Sequence, residues 1–193
     1  MKRDVITNNF NSSFLAFEKD IETILRKLFI ESNPYSEILK RLLVINTKDC
    51  LDNADSPAIK EKLKNMSLAK LRQEGYIKLE PKITMPEHEE VKAYIIMSCD
   101  NFTPNDTNTY YRDCTVSFDI ICNLDYWDLG NYRIRPLKIA GYIDGILNEA
   151  KLSGIGTFNF LGCSELVLNE DLAGYTLIYR AVHGNDDKLP NEE

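Results

Sequence analysis

Residues 112–123 read Arg-Asp-Cys-Thr-Val-Ser-Phe-Asp-Ile-Ile-Cys-Asn, and their alternation sets the fold class. Cys114, Val116, Phe118, Ile120 and Cys122 fall on one side of an extended chain, with Asp113, Thr115, Ser117 and Asp119 on the other, because successive strand side chains point to opposite faces. A strand with one apolar and one polar face belongs to a sheet covered on one side, as antiparallel sheets commonly are. Upstream, Val91–Cys99 is rich in β-branched and aromatic residues, and the turn-forming run Asn101–Asn108 predicts a hairpin between the two. Downstream, Thr157–Leu168 and Gly174–Val182 read as two more strands, joined across Asn169-Glu170-Asp171, with a bulge expected near Gly162. Tyr76–Met85, punctuated by Pro81 and followed by Pro86, suits an edge strand or an extended arm.

Between these strands the period changes to that of a helix. Pro136 opens a helix to about Ala150, with Leu137, Ala140, Ile143 and Leu147 as its apolar stripe. Gly141 and Gly145 lie within it, and each costs about 1 kcal/mol relative to Ala. A close packing contact is the expected compensation, against the chain's own sheet by preference, otherwise against a neighbouring subunit. At the N-terminal end, Phe14, Phe17, Ile21, Ile24, Leu25 and Leu28 recur at helical spacing behind Ser12 or Ser13 as N-cap. Pro34 starts a second helix (Ile38, Leu39, Leu42, Leu43), and Ser56-Pro57 a third (Ile59, Leu63, Met66). After a break at Ser67, Leu68 and Leu71 continue to Gly75. The order predicts an α+β fold: an antiparallel sheet of about four to five strands packed by one helix, with an N-terminal helical segment. That segment takes residues 1–75, the α+β domain 76–184, and a flexible polar tail 185–193.

The chain has 193 residues, 44% of them hydrophobic and 27% charged, a composition that excludes disorder as the main state. No run of about 18 apolar residues exists to span a membrane. The opening residues Met1 to Asn9 hold no apolar signal core, so a cytoplasm is the expected compartment of synthesis. Net charge is −7, but residues 1–75 hold 13 basic and 11 acidic side chains, against 10 and 19 in residues 76–193. That acidic half argues against nucleic acid as a bound partner. Lys60, Lys62, Lys64, Lys70 and Arg72 read as a solvated basic helix face.

Catalytic and metal chemistry find little support. Cys50, Cys99, Cys114, Cys122 and Cys163 show no C-x-x-C spacing and read as small buried hydrophobes. His88 sits among Glu87, Glu89 and Glu90, and His183 ends the last strand, with no ligand partner at usable spacing for either. No P-loop, G-x-G-x-x-G or G-x-S-x-G is present. No catalytic residue, metal or cofactor is therefore expected. Aromatic residues are the more suggestive feature, since Tyr and Trp are enriched at interaction surfaces. Tyr126 and Trp127, with Arg133 and Arg135 close behind, are candidates for a subunit contact, as are Gly141 and Gly145. The equal alternative is that Trp127 covers one end of the core.

The helix bearing Ile143-Asp144-Gly145-Ile146-Leu147 and the hairpin ending in Asp171-Leu172-Ala173-Gly174-Tyr175-Thr176-Leu177-Ile178-Tyr179-Arg180 complete a pattern over residues 88–184. It resembles the tail terminator or tail-completion proteins of tailed bacteriophages. The resemblance implies a structural virion protein of the neck, assembled in the host cytoplasm, that caps the tail tube as a ring of six copies. Its implied partners are further copies of itself, the tail tube protein and the head connector or head-completion protein. DNA only passes through the lumen, and no membrane is involved. The N-terminal helices are longer than small members of that family carry. A cytoplasmic ligand-binding or regulatory α+β module is the alternative, and would require a closed pocket.

Overall fold

A computed structural model describes residues 17–30, 34–52, 56–79, 91–106, 112–152 and 155–183. Four helices come first: α1 (Phe17–Phe29), α2 (Pro34–Val44), α3 (Pro57–Lys64) and α4 (Leu68–Gln73). Strands β1 (Ile77–Lys78), β2 (Ala93–Pro104) and β3 (Arg112–Asn123) follow, then α5 (Arg135–Leu147), a short hairpin β4 (Lys151–Leu152) and β5 (Gly156–Thr157), and the long pair β6 (Asn159–Val167) and β7 (Leu172–His183). The fold is α+β, as expected. Ser12, Ser13, Phe14, the arm beyond residue 79, His88, the tip of the β2–β3 loop and the tail lie outside the described residues. So do the side chains of Phe17 and His183.

The main sheet has five strands in the order β1-β2-β3-β7-β6. Four run antiparallel, and the two-residue β1 joins the edge parallel to β2. α4 leads directly into β1. Gly75 adopts φ +85° there, and the Tyr76 amide donates to the Leu71 carbonyl at 2.9 Å, the closing bond of a Schellman stop. β2 runs past Cys99 to Pro104, because a register shift between Asp100 and Thr103 carries the ladder on. The bulge expected near Gly162 is present as the extra residue Leu161 in β6.

One face of the sheet is apolar and covered. Cys114, Val116, Phe118, Ile120 and Cys122 of β3 are all buried there, with Ile95 and Met97 of β2 and Leu177 and Tyr179 of β7 beside them. α5 packs on β3 and β7, and α2 packs on both α5 and β2. The helical layer thus has more than one member, because Leu39, Leu42 and Leu43 of α2 need the same core. A single apolar cluster runs from Ile24 to Ala181.

The opposite face is polar and internally bonded along β3 and β7, while Tyr94, Ile96 and Ile121 are buried on it. Ser98 and Ser117 share a 2.9 Å hydrogen bond, the Thr176 hydroxyl donates to Asp119 at 2.6 Å, and Arg180 pairs with Asp113. β3 and β7 approach closely at Gly174, where an added Cβ would lie 1.7 Å from the Ile120 carbonyl oxygen.

Candidate subunit-contact surface

The sequence candidates in residues 126–145 separate into three settings. Arg135 is the first and is a correction: it is 1% exposed and bonded entirely within the chain. Its Nε donates to the Tyr126 carbonyl at 2.8 Å. Nη1 donates to the carbonyls of Leu42 (2.7 Å) and Ile45 (2.9 Å), and Nη2 to that of Thr47 (2.8 Å). Those carbonyls belong to the last turn of α2 and the loop after it, which a cation satisfies well. Arg135 is a staple between the helical segment and α5, with no side chain to offer a neighbour. Cys50 lies under it, and burial pushes that thiol up while Arg135 works against the shift.

Tyr126 and Trp127 form the second setting. Both are half-buried against the core, with Lys92 5.9 Å from the Tyr126 ring and Trp127 6.3 Å from that of Tyr175. Trp127 therefore covers an end of the core. Arg133 stands near them as a second tether, its guanidinium bidentate on Asp52 at 2.9 and 2.7 Å. That hydrogen bonding holds the Asp52 carboxyl below its ordinary value.

The third setting is the outer side of α5. Gly141 and Gly145 are both exposed, and a Cβ added to either meets nothing within 4 Å. The expectation that they pack on the sheet is wrong. The buried stripe is Pro136, Ile139, Ala140, Ile143, Ile146 and Leu147, and Leu137, expected in it, is 43% exposed. Leu137 and Gly141 line an open groove of about 520 Å³ with Tyr132, Arg133, Lys138 and Tyr142. Tyr132 is fully exposed at φ +61°, third in a run of left-handed residues after Gly130 and Asn131. A bulky residue in that conformation is strained, a cost of about 1 kcal/mol or more.

The chain composition did not single out β6, yet it is the most exposed strand. It is the last in the sheet order, and no strand pairs with its outer side among the described residues. Leu161 is 58% and Val167 75% exposed, with Phe160 at 43% and Cys163 also exposed. Register with β7 sets Phe160, Cys163, Glu165 and Val167 on the α5 side of the sheet. Phe160 packs edge-on to Tyr179, whose hydroxyl donates to Asp144 of α5 at 2.9 Å. Proteins usually blunt a free edge with Lys, Pro or a short strand. β6 has nine residues, no Lys and no Pro; its protection is the bulge at its start.

The YomW family model matches residues 36–181. The chain belongs to the YomW family. That family is phage-derived, of a Bacillus prophage-like kind, and its match spans the last helices of the N-terminal segment as well as the sheet. No curated protein matches the chain. Among solved structures, a chain of the "Virion of native gene transfer agent (GTA) particle" is 16% identical to this YomW-family chain, with a TM-score of 0.42 over 65% of it and 91% of that chain.

Proposed function

We propose that this YomW-family protein is a structural component of the phage neck, forming an oligomeric ring that caps the tail tube and joins it to the head connector. Its work is assembly, not catalysis. Descent of the family from phage supports the virion role. The observation that carries the ring is the open edge of β6, a nine-residue strand with exposed Leu161 and Val167 and no paired outer neighbour among the described residues. A ring needs two different patches on each subunit, so that the contact repeats head to tail and closes. The two edges of this sheet differ in length, charge and cover, which is the asymmetry such closure requires. An acidic half facing the lumen would repel DNA and let it pass without sticking. The ligand-binding alternative calls for a closed pocket, and the grooves beside α5 and beside α1 both open to solvent.

The mass of the purified full chain in solution, followed by negative-stain imaging, tests the reading. Discrete rings of about six copies are expected. A protein that stays monomeric at every concentration would remove it.

A further inference from the structure

The two edges of the sheet carry opposite charge. Residues 155–175, which include β6 and its turn to β7, contain Glu165, Glu170 and Asp171 and no basic residue. Residues 56–79, which include α3, α4 and β1, contain six basic residues and two acidic ones. β1 and β6 are the first and last strands of the sheet, four strand spacings apart, or about 19 Å. The basic edge also has a receptor for apolar side chains. Between α1 and α4 lies a groove of about 650 Å³ lined by Ile21, Leu25, Leu68 and Leu79, with Glu22, Arg26 and Arg72 as its polar groups; Arg26 is paired with Glu22 at 2.7 Å, and Arg72 is exposed. The acidic edge supplies apolar side chains to fill it: Leu161 and Val167, both more than half exposed, around Glu165.

From this pairing we infer that the β6 edge of one copy docks on the α1–α4 end of a second copy, Leu161 and Val167 meeting the groove and Glu165 facing Arg72. The occupant is another copy of this chain, because both halves of the complementary pair are present on one subunit and at opposite ends of it. A contact between unlike ends is heterologous; it repeats with the same hand and makes a ring where the rotation closes. Opposite charge across the contact sets its register and rejects the like-with-like alternative, in which two acidic β6 edges would meet. This inference rests on the ring reading and names the surfaces through which that ring would close.

Cys163 makes the contact readable, since it is exposed in the middle of β6. Full-length protein labelled with heavy nitrogen is mixed with unlabelled protein, and a short cysteine-to-amine cross-linker is applied. Mixed-isotope peptides joining Cys163 to Lys64 or Lys70 are expected; within one copy the width of the sheet keeps these groups apart. Glu165→Lys and Arg72→Glu, both at exposed positions, should each weaken self-association at least tenfold by sedimentation while leaving the circular dichroism spectrum unchanged. An oligomer that ignores both reversals, or whose Cys163 links go to Lys138 instead, overturns the docking and leaves the ring reading intact. A chain monomeric throughout overturns both.

Discussion

The guanidinium of Arg135 donates to the Leu42 carbonyl at 2.7 Å across 93 positions of sequence. Together with the bonds to Ile45 and Thr47, it closes the end of α2 with a group from the start of α5. Removing it would leave several buried carbonyls without donors, each at about 1–3 kcal/mol. Arg135→Ala should lower unfolding free energy by about 3 kcal/mol or more, read as the urea midpoint. Arg135→Lys should recover little of that, because one ammonium lacks the planar fork that reaches Tyr126 and the α2 loop together.

Gly174 presents the opposite problem, too little space instead of a lost bond. A Cβ there would overlap the Ile120 carbonyl oxygen and stand 3.2 Å from the Ile121 Cα. Backbone in a central strand pair cannot move aside as a flexible side chain does, so the β3–β7 ladder would have to part. Gly174→Ala is expected to cost about 3 kcal/mol or more. The measurement is soluble yield together with the thermal midpoint.

Tyr94 is fully buried on the polar side of the sheet, and its hydroxyl has no hydrogen-bond partner among the described residues. Burial pushes the phenol up to about 12 from an ordinary 10. The folded state therefore resists ionisation that the unfolded chain undergoes freely. Stability from this group is whole below pH 10 and drains away as pH rises toward 12. Tyr94→Phe should flatten that alkaline loss and leave stability at pH 7 equal or higher by about 1 kcal/mol. Denaturant titrations of both proteins at pH 7 and at pH 11 would show it.

How much of this was legible beforehand depends on whether the information is local. The faces of β3 follow from period two alone, and so does the buried set Cys114 to Cys122. The bulge beside Gly162 and the turn at Asn169 follow from residue chemistry. α5 was harder, because apolar residues at 137, 139, 140, 143, 146 and 147 permit more than one stripe. Centring it on Leu137 and Ala140 turns the glycines toward the sheet; centring it on Ile143 turns them out. Arg135 could not be read at all, since its partners are carbonyls some 90 residues earlier and carry no side-chain signal. The bare outer edge of β6 is a property of strand order, which hairpins along the chain do not specify.

The five thiols should differ sharply in reactivity. Half-buried Cys99 and buried Cys122 are pushed up to about 12 by desolvation, and Cys50 and Cys114 are buried. Cys163 is exposed, although partial desolvation and Asp144 raise its pKa somewhat. A thiolate is the reacting form. One equivalent of a maleimide should therefore label Cys163 first in native protein, faster as pH rises, with the other four requiring denaturant. Mass spectrometry of digested protein gives the order, and Cys163→Ser should abolish the fast phase.

Gly141 and Gly145 offer a test of sign. Both sit in the interior of a helix at negative φ, facing open space, so alanine fits each backbone without strain. In an isolated subunit Gly141→Ala and Gly145→Ala should each stabilise by about 0.5–1 kcal/mol, through helix propensity and a less entropic unfolded chain. A helix keeping two such costs on one exposed side gains something elsewhere if that side is closely approached by another molecule. Under the ring reading, then, the alanine variants should raise the thermal midpoint of dilute, dissociated protein while weakening self-association. A gain in subunit stability accompanied by equal or tighter assembly for both variants would show that the glycine face of α5 is not a contact, and would restrict the interface to the sheet edges.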